Sequence, residues 1–333
     1  MRSGVDSVHD PVATSFSLAP RPFGRTPLRV TPVCIGTAPL GDMPEAFGFR
    51  VSEARALETL RAAFASPIAF IDTSANYGNG TSERLIGQVL REIGGLPAGW
   101  VVATKADRDM TTGDFSGDQI KRSVEESLGR LGLDRLQFVY IHDPEHTTFE
   151  HVMSRGGALE VLQQFQAQGV IGDIGISGGP VDMLVRYVET GAFAAVETHN
   201  RYTLLNRSAA PLLDAAASRQ VAVANAAIYS SGILAKGPDA SARYAYQDAS
   251  SVVIERARRM AAACREHGVP LAAAALQFSL RDPRVTTTVV GMTRPERVQQ
   301  TLDLAAHPIP DDLWPGLDAL GFDMDDPEAH RWG

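Results

Sequence analysis

Eight short runs of β-branched or apolar residues punctuate the chain: "VCIGT" at 33–37, "IAFID" at 68–72, "WVVATK" at 100–105, "QFVYIH" at 137–142, "VIGDIGIS" at 170–177, "AAVETHN" at 194–200, "VAVANAA" at 221–227 and "TTTVVG" at 286–291. Between them lie segments with helical spacing of apolar residues, among them 52–65, 82–94, 116–132 and 255–268. Several of these open with Ser followed closely by an acid, a helix-start signal. Strands apolar on both faces belong to parallel sheets covered by helices on each side. Eight of them alternating with helices predict an α/β fold whose sheet closes as a single-domain (β/α)8 barrel. An open doubly wound sheet would need G-x-G-x-x-G directly after the first strand. That position reads "GTAPLG", and "GNGTSE" further on lacks the third glycine.

The domain limits follow from where the alternation starts and stops. Residues 1–28, polar and rich in Pro and Ser, read as a loose leader, 29–307 as the barrel, and 308–333 as a tail over one barrel mouth. "PLAAAALQFSL" (270–280) reads as an extra helix before the last strand. The formal net charge of −8 is spread over interspersed acids and bases, with no basic stripe, which argues against a nucleic-acid partner. No run approaches the roughly 18 apolar residues of a membrane span. Cys34 and Cys264 stand far apart in apolar segments, neither a disulfide framework nor a metal spacing, so a reducing cytoplasm is expected.

In a barrel, residues just past the strand C-termini share one face, where chemistry is built. Asp72 follows "AFI", Lys105 follows "VVAT" and His142 follows "VYI", so three strands aim an acid, a cation and an imidazole at one mouth. Tyr77 lies in the loop after the second strand, close enough to return over it. Such a set suits proton transfer at an oxygen during hydride transfer. A phenol near pKa ~10 is a poor base at neutral pH, and a neighbouring ammonium lowers that value. Asp72 would hold Lys105, and His142 would orient the substrate oxygen toward Tyr77.

The stretches "FIDTSANYGNGTSERLIG", "VVATKAD", "VYIHDPE", "GDIGISG" and "VVGMTRPERVQQTL", in that order over about residues 30 to 305, resemble the aldo-keto reductase superfamily. The resemblance implies a TIM barrel that binds NAD or NADP, with Asp72, Tyr77, Lys105 and His142 as the catalytic tetrad. "GTAPLG", "YIHDPE", "THNRYTLLNR" and "GVPLAAAALQFSL" look like the branch containing L-fucose dehydrogenase, D-threo-aldose 1-dehydrogenase and pyridoxal 4-dehydrogenase. That implies oxidation of an aldose at C1 to the lactone, or of a related alcohol or aldehyde, with aldehyde reduction as the reverse.

The same resemblance implies the cofactor contacts. Gly36, Thr37 and Asp72 fall beside the nicotinamide, and Ser177 would bind its carboxamide, although Gly178 replaces the family's asparagine. Asn200 stands for the family's glutamine, and Tyr229, Ser230, Gly232 and Leu234 fall in the loop around the pyrophosphate. The ring that often stacks on nicotinamide is missing near Ala226 and Ala227. "GMTRPERVQQTL" opens a helix, whose free N–H groups favour an anion. It resembles the adenosine site, with Met292, Thr293, Arg294, Arg297 and Gln300 as contacts. Thr293 in place of the family's basic residue leans toward NAD over NADP.

Other readings compete with these. "HDPEH" offers His142, Asp143 and His146 to a metal, joined by His199, as in a barrel hydrolase, but Pro144 prevents one continuous helical face and no metal is expected. A barrel that keeps its cofactor site as a regulatory subunit is the other alternative. Glu83 reads as a capping acid of the second helix, and His199 as a structural imidazole.

Overall fold

The computed structural model describes residues 16–331. Its eight central strands are β1 (Val33–Gly36), β2 (Phe70–Asp72), β3 (Val101–Ala106), β4 (Leu136–His142), β5 (Ile171–Gly178), β6 (Ala195–His199), β7 (Ala222–Ala226) and β8 (Thr287–Gly291). Each pairs in parallel with the next, and β8 closes on β1 through Val289 opposite Cys34. The barrel is therefore complete, and each strand sits within an apolar run of the sequence.

Among the described residues ten helices of seven residues or more follow or separate the strands: α1 (Glu53–Phe64), α2 (Thr81–Glu92), α3 (Gly117–Leu131), α4 (Ala158–Ala167), α5 (Val181–Glu189), α6 (Ala210–Ser218), α7 (Ser251–Glu266), α8 (Leu271–Leu280), α9 (Glu296–Ala306) and α10 (Leu313–Ala319). Their ends show why the sequence breaks where it does. Ser116 accepts the Gln119 N–H at 3.3 Å to start α3, and Gly132 ends it at φ +66, a conformation that suits glycine. At α2 the expectation fails: the N-cap is Gly80, with no side-chain cap, and Glu83 is not a capping acid. It is fully buried, accepting from Thr104 Oγ1 at 2.5 Å and Arg130 Nε at 2.7 Å, so it ties α2 to β3 and α3.

Two apolar layers hold the fold. Outward-facing strand residues such as Ile35, Ile71, Val102, Val139 and Ile176 pack under the helices, and an inner cluster fills the barrel with Cys34, Phe70, Ala103, Phe138, Tyr140 and Ala224. Phe23 closes the N-terminal end of that interior, edge-on to Phe70 at 5.5 Å and Phe138 at 5.0 Å. It sits in a small hairpin, Arg21–Pro22 paired with Arg29–Val30, so the packed unit begins before residue 29. Of the expected leader, 1–15 lie outside the described residues. Burying a phenylalanine fully is worth roughly 2–3 kcal/mol, enough to order so short a hairpin.

The tail crosses the opposite, C-terminal mouth. After α10 the Asp323 N–H bonds to Leu205 O at 2.8 Å, and Arg207 N–H to Asp323 O at 2.9 Å. Arg201 then meets Asp326 at 2.6 Å and Glu328 at 3.1 Å. Among the described residues no helix is long and apolar enough to cross a membrane.

Candidate active site

Side chains alternate across a strand with period two, and this parity decides which polar groups enter the barrel. Phe70 packs inward, so Asp72 does too; Ala103 carries Lys105 with it, and Tyr140 carries His142. The same count on β6 brings Glu197 and His199 inward with Ala195. Of the polar groups so placed, Asp72, His142, Glu197 and His199 line a cavity of about 450 Å³ at the C-terminal mouth, with Lys105 just beneath, within the usual range for small-molecule sites.

Lys105 is the centre of the arrangement. Its fully buried Nζ donates to Asp72 Oδ2 at 2.6 Å, to Thr73 O at 2.9 Å and to Tyr77 Oη at 3.1 Å, and Glu197 Oε1 lies 3.5 Å away. Tyr77 reaches this point because the loop after β2 turns sharply at Gly78, whose φ of +63 brings it against Gly41. The Tyr77 ring stands edge-on to His142, with centroids 6.0 Å apart. The four sequence-predicted catalytic residues thus meet around one cavity.

The electrostatics differ from the expectation for Tyr77. Burial pushes its phenol well above the ordinary value; Lys105 pulls it down, but Asp72 and Glu197 add to the rise. Lys105 is lowered by burial, yet Asp72, Glu197 and Tyr77 together hold it well above its usual range. Burial, with Glu197 next, raises Asp72 to about 8 against the pull of Lys105. Burial disfavours the charged form of His142, but Asp107 and Asp143 outweigh that and lift it to about 9. The resting site therefore holds its protons tightly.

The expected cofactor residues divide. Gly36 and Ser177 line the cavity with Asp72. Thr37 faces away, donating to Asp72 O at 2.8 Å. Gly178 packs against Glu145, where a Cβ would come within 2.6 Å of its carboxylate. Asn200, one residue past β6, donates through Nδ2 to Glu328 Oε1 at 2.9 Å, an oxygen of a cavity-lining carboxylate that also lies 3.2 Å from His199 Nε2. Leu234 and Met292 are core side chains, and Ser230 is buried beside Thr203. Gly232, at φ +97, starts the single turn Ile233–Lys236. Arg297 stands over the Tyr229 ring at 5.8 Å, joining the loops after β7 and β8, and Arg294 donates to Gln300 Oε1 at 3.2 Å. Thr293 lies between β8 and α9.

Several functional side chains escaped sequence reasoning. Glu197 and His199 were legible by parity alone. Asp107, 2.6 Å from His142 Nδ1, and Glu328, 3.2 Å from His199 Nε2, carry no local signal that pairs them with a histidine. Pro39, Met43, Ala46 and Phe47 from the first loop, with Tyr246, form the apolar side of the cavity. The end of the expected tail, with Trp332, lies outside the described residues. Among the described residues no His, Cys, Asp and Glu cluster suits a metal ion.

A profile of the aldo/keto reductase family matches residues 32–321. The chain belongs to that family. This aldo-keto reductase is 34% identical over 309 residues to D-threo-aldose 1-dehydrogenase of a Pseudomonas species, covering 85% of this chain and 91% of that one. Against pyridoxal 4-dehydrogenase of Microbacterium luteolum it is 31% identical over 339 residues, with coverage of 91% and 97%. The fold matches that of the Bacillus halodurans aldo-keto reductase AKR11C1 in its holo form, with a TM-score of 0.76 at 21% identity, covering 95% of this chain and 100% of that one. The aldo-keto reductase is accordingly an oxidoreductase dependent on a nicotinamide cofactor.

Proposed function

We propose that this aldo-keto reductase oxidises an aldose at C1 to the lactone, and runs the same steps backwards on an aldehyde, with Tyr77 moving the proton at the substrate oxygen. The observation that carries this reading is the convergence of Tyr77, Lys105, Asp72 and His142 on one cavity.

The residues present suit a nicotinamide. Gly36, Ala226, Ala227 and Gly291 leave one cavity wall low, and a Cβ on Gly36 would come within 2.9 Å of Val289. Nearby, the buried Tyr229 hydroxyl and Glu197 Oε2 have no hydrogen-bond partner among the described residues. Ser177 and the Tyr229–Leu234 loop would hold the cofactor, and Arg297, Arg294 and Gln300 its far end. When bound, the nicotinamide exchanges a hydride with the substrate carbon. Arg294 is already engaged by Gln300 and lies 3.8 Å from Glu296, a carboxylate that opposes a 2′-phosphate; with Thr293 this favours NAD over NADP.

His142 presents a ring nitrogen to the cavity and orients the substrate oxygen toward Tyr77. In oxidation Tyr77, having lost its own proton to solvent, takes the proton of the substrate hydroxyl, and the Lys105 ammonium 3.1 Å away stabilises the phenolate that does so. In reduction Tyr77, kept protonated at neutral pH by burial, donates to the alkoxide that forms on the substrate. The buried, unpaired thiols of Cys34 and Cys264 support a reducing, cytoplasmic setting.

A second reading is supported by Phe47, Tyr246 and Met43, which suit a flat ring such as a pyridoxal-type alcohol or aldehyde. Absorbance of the reduced nicotinamide, followed with L-fucose, D-arabinose, L-galactose and pyridoxal, each with NAD+ and NADP+, tests both. Signal with a sugar and NAD+ is the expected result. Signal only with pyridoxal would replace the sugar by the second reading, and silence with every pair, in both directions, would refute both in favour of a regulatory barrel.

A further inference from the structure

We propose that Asp107 is a positioning residue for this reaction: its carboxylate fixes the His142 ring through Nδ1, so that Nε2–H is the group offered to the substrate oxygen. The inference rests on the function proposed above and assigns a role to a residue outside the tetrad.

The geometry leaves the carboxylate little freedom. Asp107 lies one residue past β3 and is 3% exposed. Oδ1 is 2.6 Å from His142 Nδ1. Oδ2 accepts from Ser74 Oγ at 2.6 Å and from the Asn76 N–H at 3.0 Å. The Asp107 N–H donates to Ser123 Oγ at 3.0 Å, and its carbonyl accepts from Gln119 Nε2 at 3.2 Å, which anchors the backbone to α3. Three donors therefore converge on the carboxylate, Ser74, Asn76 and the ring, and an ionised carboxylate can only accept. Nδ1 must carry a proton, and Nε2 is left for the cavity.

The charged and titratable groups acting on His142 come from three elements. Asp107 and Lys105 face it from the β3 side, Asp143 from its own strand end with Oδ1 3.4 Å from Nε2, and the Tyr77 ring from across the cavity. Arg108, 3.7 Å from Asp143, draws on that second carboxylate. Asp107 has the shorter contact and the fixed geometry, so it dominates. Its own pKa is lowered: burial would raise it, but the charge of His142 and the converging donors outweigh burial. A protonated His142 donates to the substrate oxygen throughout the neutral range, which acidifies a hydroxyl before Tyr77 takes its proton and polarises a carbonyl in reverse.

The test is the titration of the His142 ring by nitrogen-15 NMR in the full-length enzyme with NAD+, for wild type, Asp107→Asn and Ser74→Ala. Wild type should keep both ring protons to about pH 9. In Asp107→Asn the midpoint should fall by more than one unit toward the usual value of about 6.5, and the alkaline limb of kcat/KM should fall with it. Ser74→Ala, which removes one of the two donors that hold Oδ2, should give a smaller shift in the same direction and serves as the deciding variant if Asp107→Asn does not fold. A His142 midpoint unchanged in the folded variants, with activity lowered equally at every pH, overturns the proposal. Absence of turnover in wild type would refute the reaction, while the ring titration still decides whether Asp107 governs His142.

Discussion

Glu328 is the residue whose replacement tests the tail most sharply. Its carboxylate is buried in the C-terminal mouth, accepting from Asn200 Nδ2 at 2.9 Å and Arg201 Nη1 at 3.1 Å, with His199 Nε2 at 3.2 Å. Burial works against its charge, yet His199 first and Arg201 next hold its pKa at about 2, down from a reference of 4.5. A shift of that size corresponds to about 3 kcal/mol at ~1.4 kcal/mol per unit. A carboxyl with a depressed folded pKa stabilises above its unfolded pKa, and that contribution is lost as pH falls toward 2. His199 has the opposite sign: burial lowers its pKa, but Glu328 raises it above the model imidazole, so its share is full below about 6.5 and fades as pH rises through the folded value. Glu328→Gln should therefore lose about 3 kcal/mol near pH 5.5, less at pH 3, and somewhat less at pH 8.5, where Arg201 still lacks its partner. Urea unfolding followed by circular dichroism at the three pH values measures the gap. A gap of equal size at every pH would refute the ion-pair reasoning and leave only lost packing.

Two further substitutions probe the site's frame. Lys105→Met removes the cation that answers Asp72 and Glu197 and should destabilise by roughly 3–5 kcal/mol at pH 8 while lowering kcat by about 10²–10⁴; urea unfolding and steady-state rates check both, and unchanged stability would contradict the account. Gly78→Ala places a Cβ 1.9 Å from Gly41 O at a φ of +63, so the loop carrying Tyr77 must shift. At least a tenfold drop in kcat/KM, about 1.4 kcal/mol, is expected, and wild-type kinetics would show that the loop geometry is not needed.

Much of this was legible in the sequence because the barrel imposes its own arithmetic. Apolar runs placed all eight strands, and the polar residue ending runs such as "IAFID" identified Asp72, Lys105 and His142, since a charge at the end of a buried strand has to meet another. The same arithmetic, carried along β6 two residues at a time from Ala195, selects Glu197 and His199. What stayed hidden depends on distance in sequence. Glu328 meets a strand end 128 residues earlier, and Phe23 plugs the barrel from a segment with no period of its own. The sign of the Tyr77 shift was hidden for another reason: a nearby lysine can be read from its motif, but the balance between its charge, two carboxylates and burial is set by three-dimensional packing.

The central claim is that Tyr77 moves the proton in a cavity that binds the cofactor by other residues. Tyr77→Phe removes one oxygen and leaves the ring against His142. Cofactor affinity by fluorescence titration, measured beside kcat with the best substrate, tests this directly. The account predicts affinity within about twofold of wild type and a kcat reduced by about 10³ or more. A variant that turns over within tenfold of wild type, or that loses cofactor binding together with activity, would contradict it.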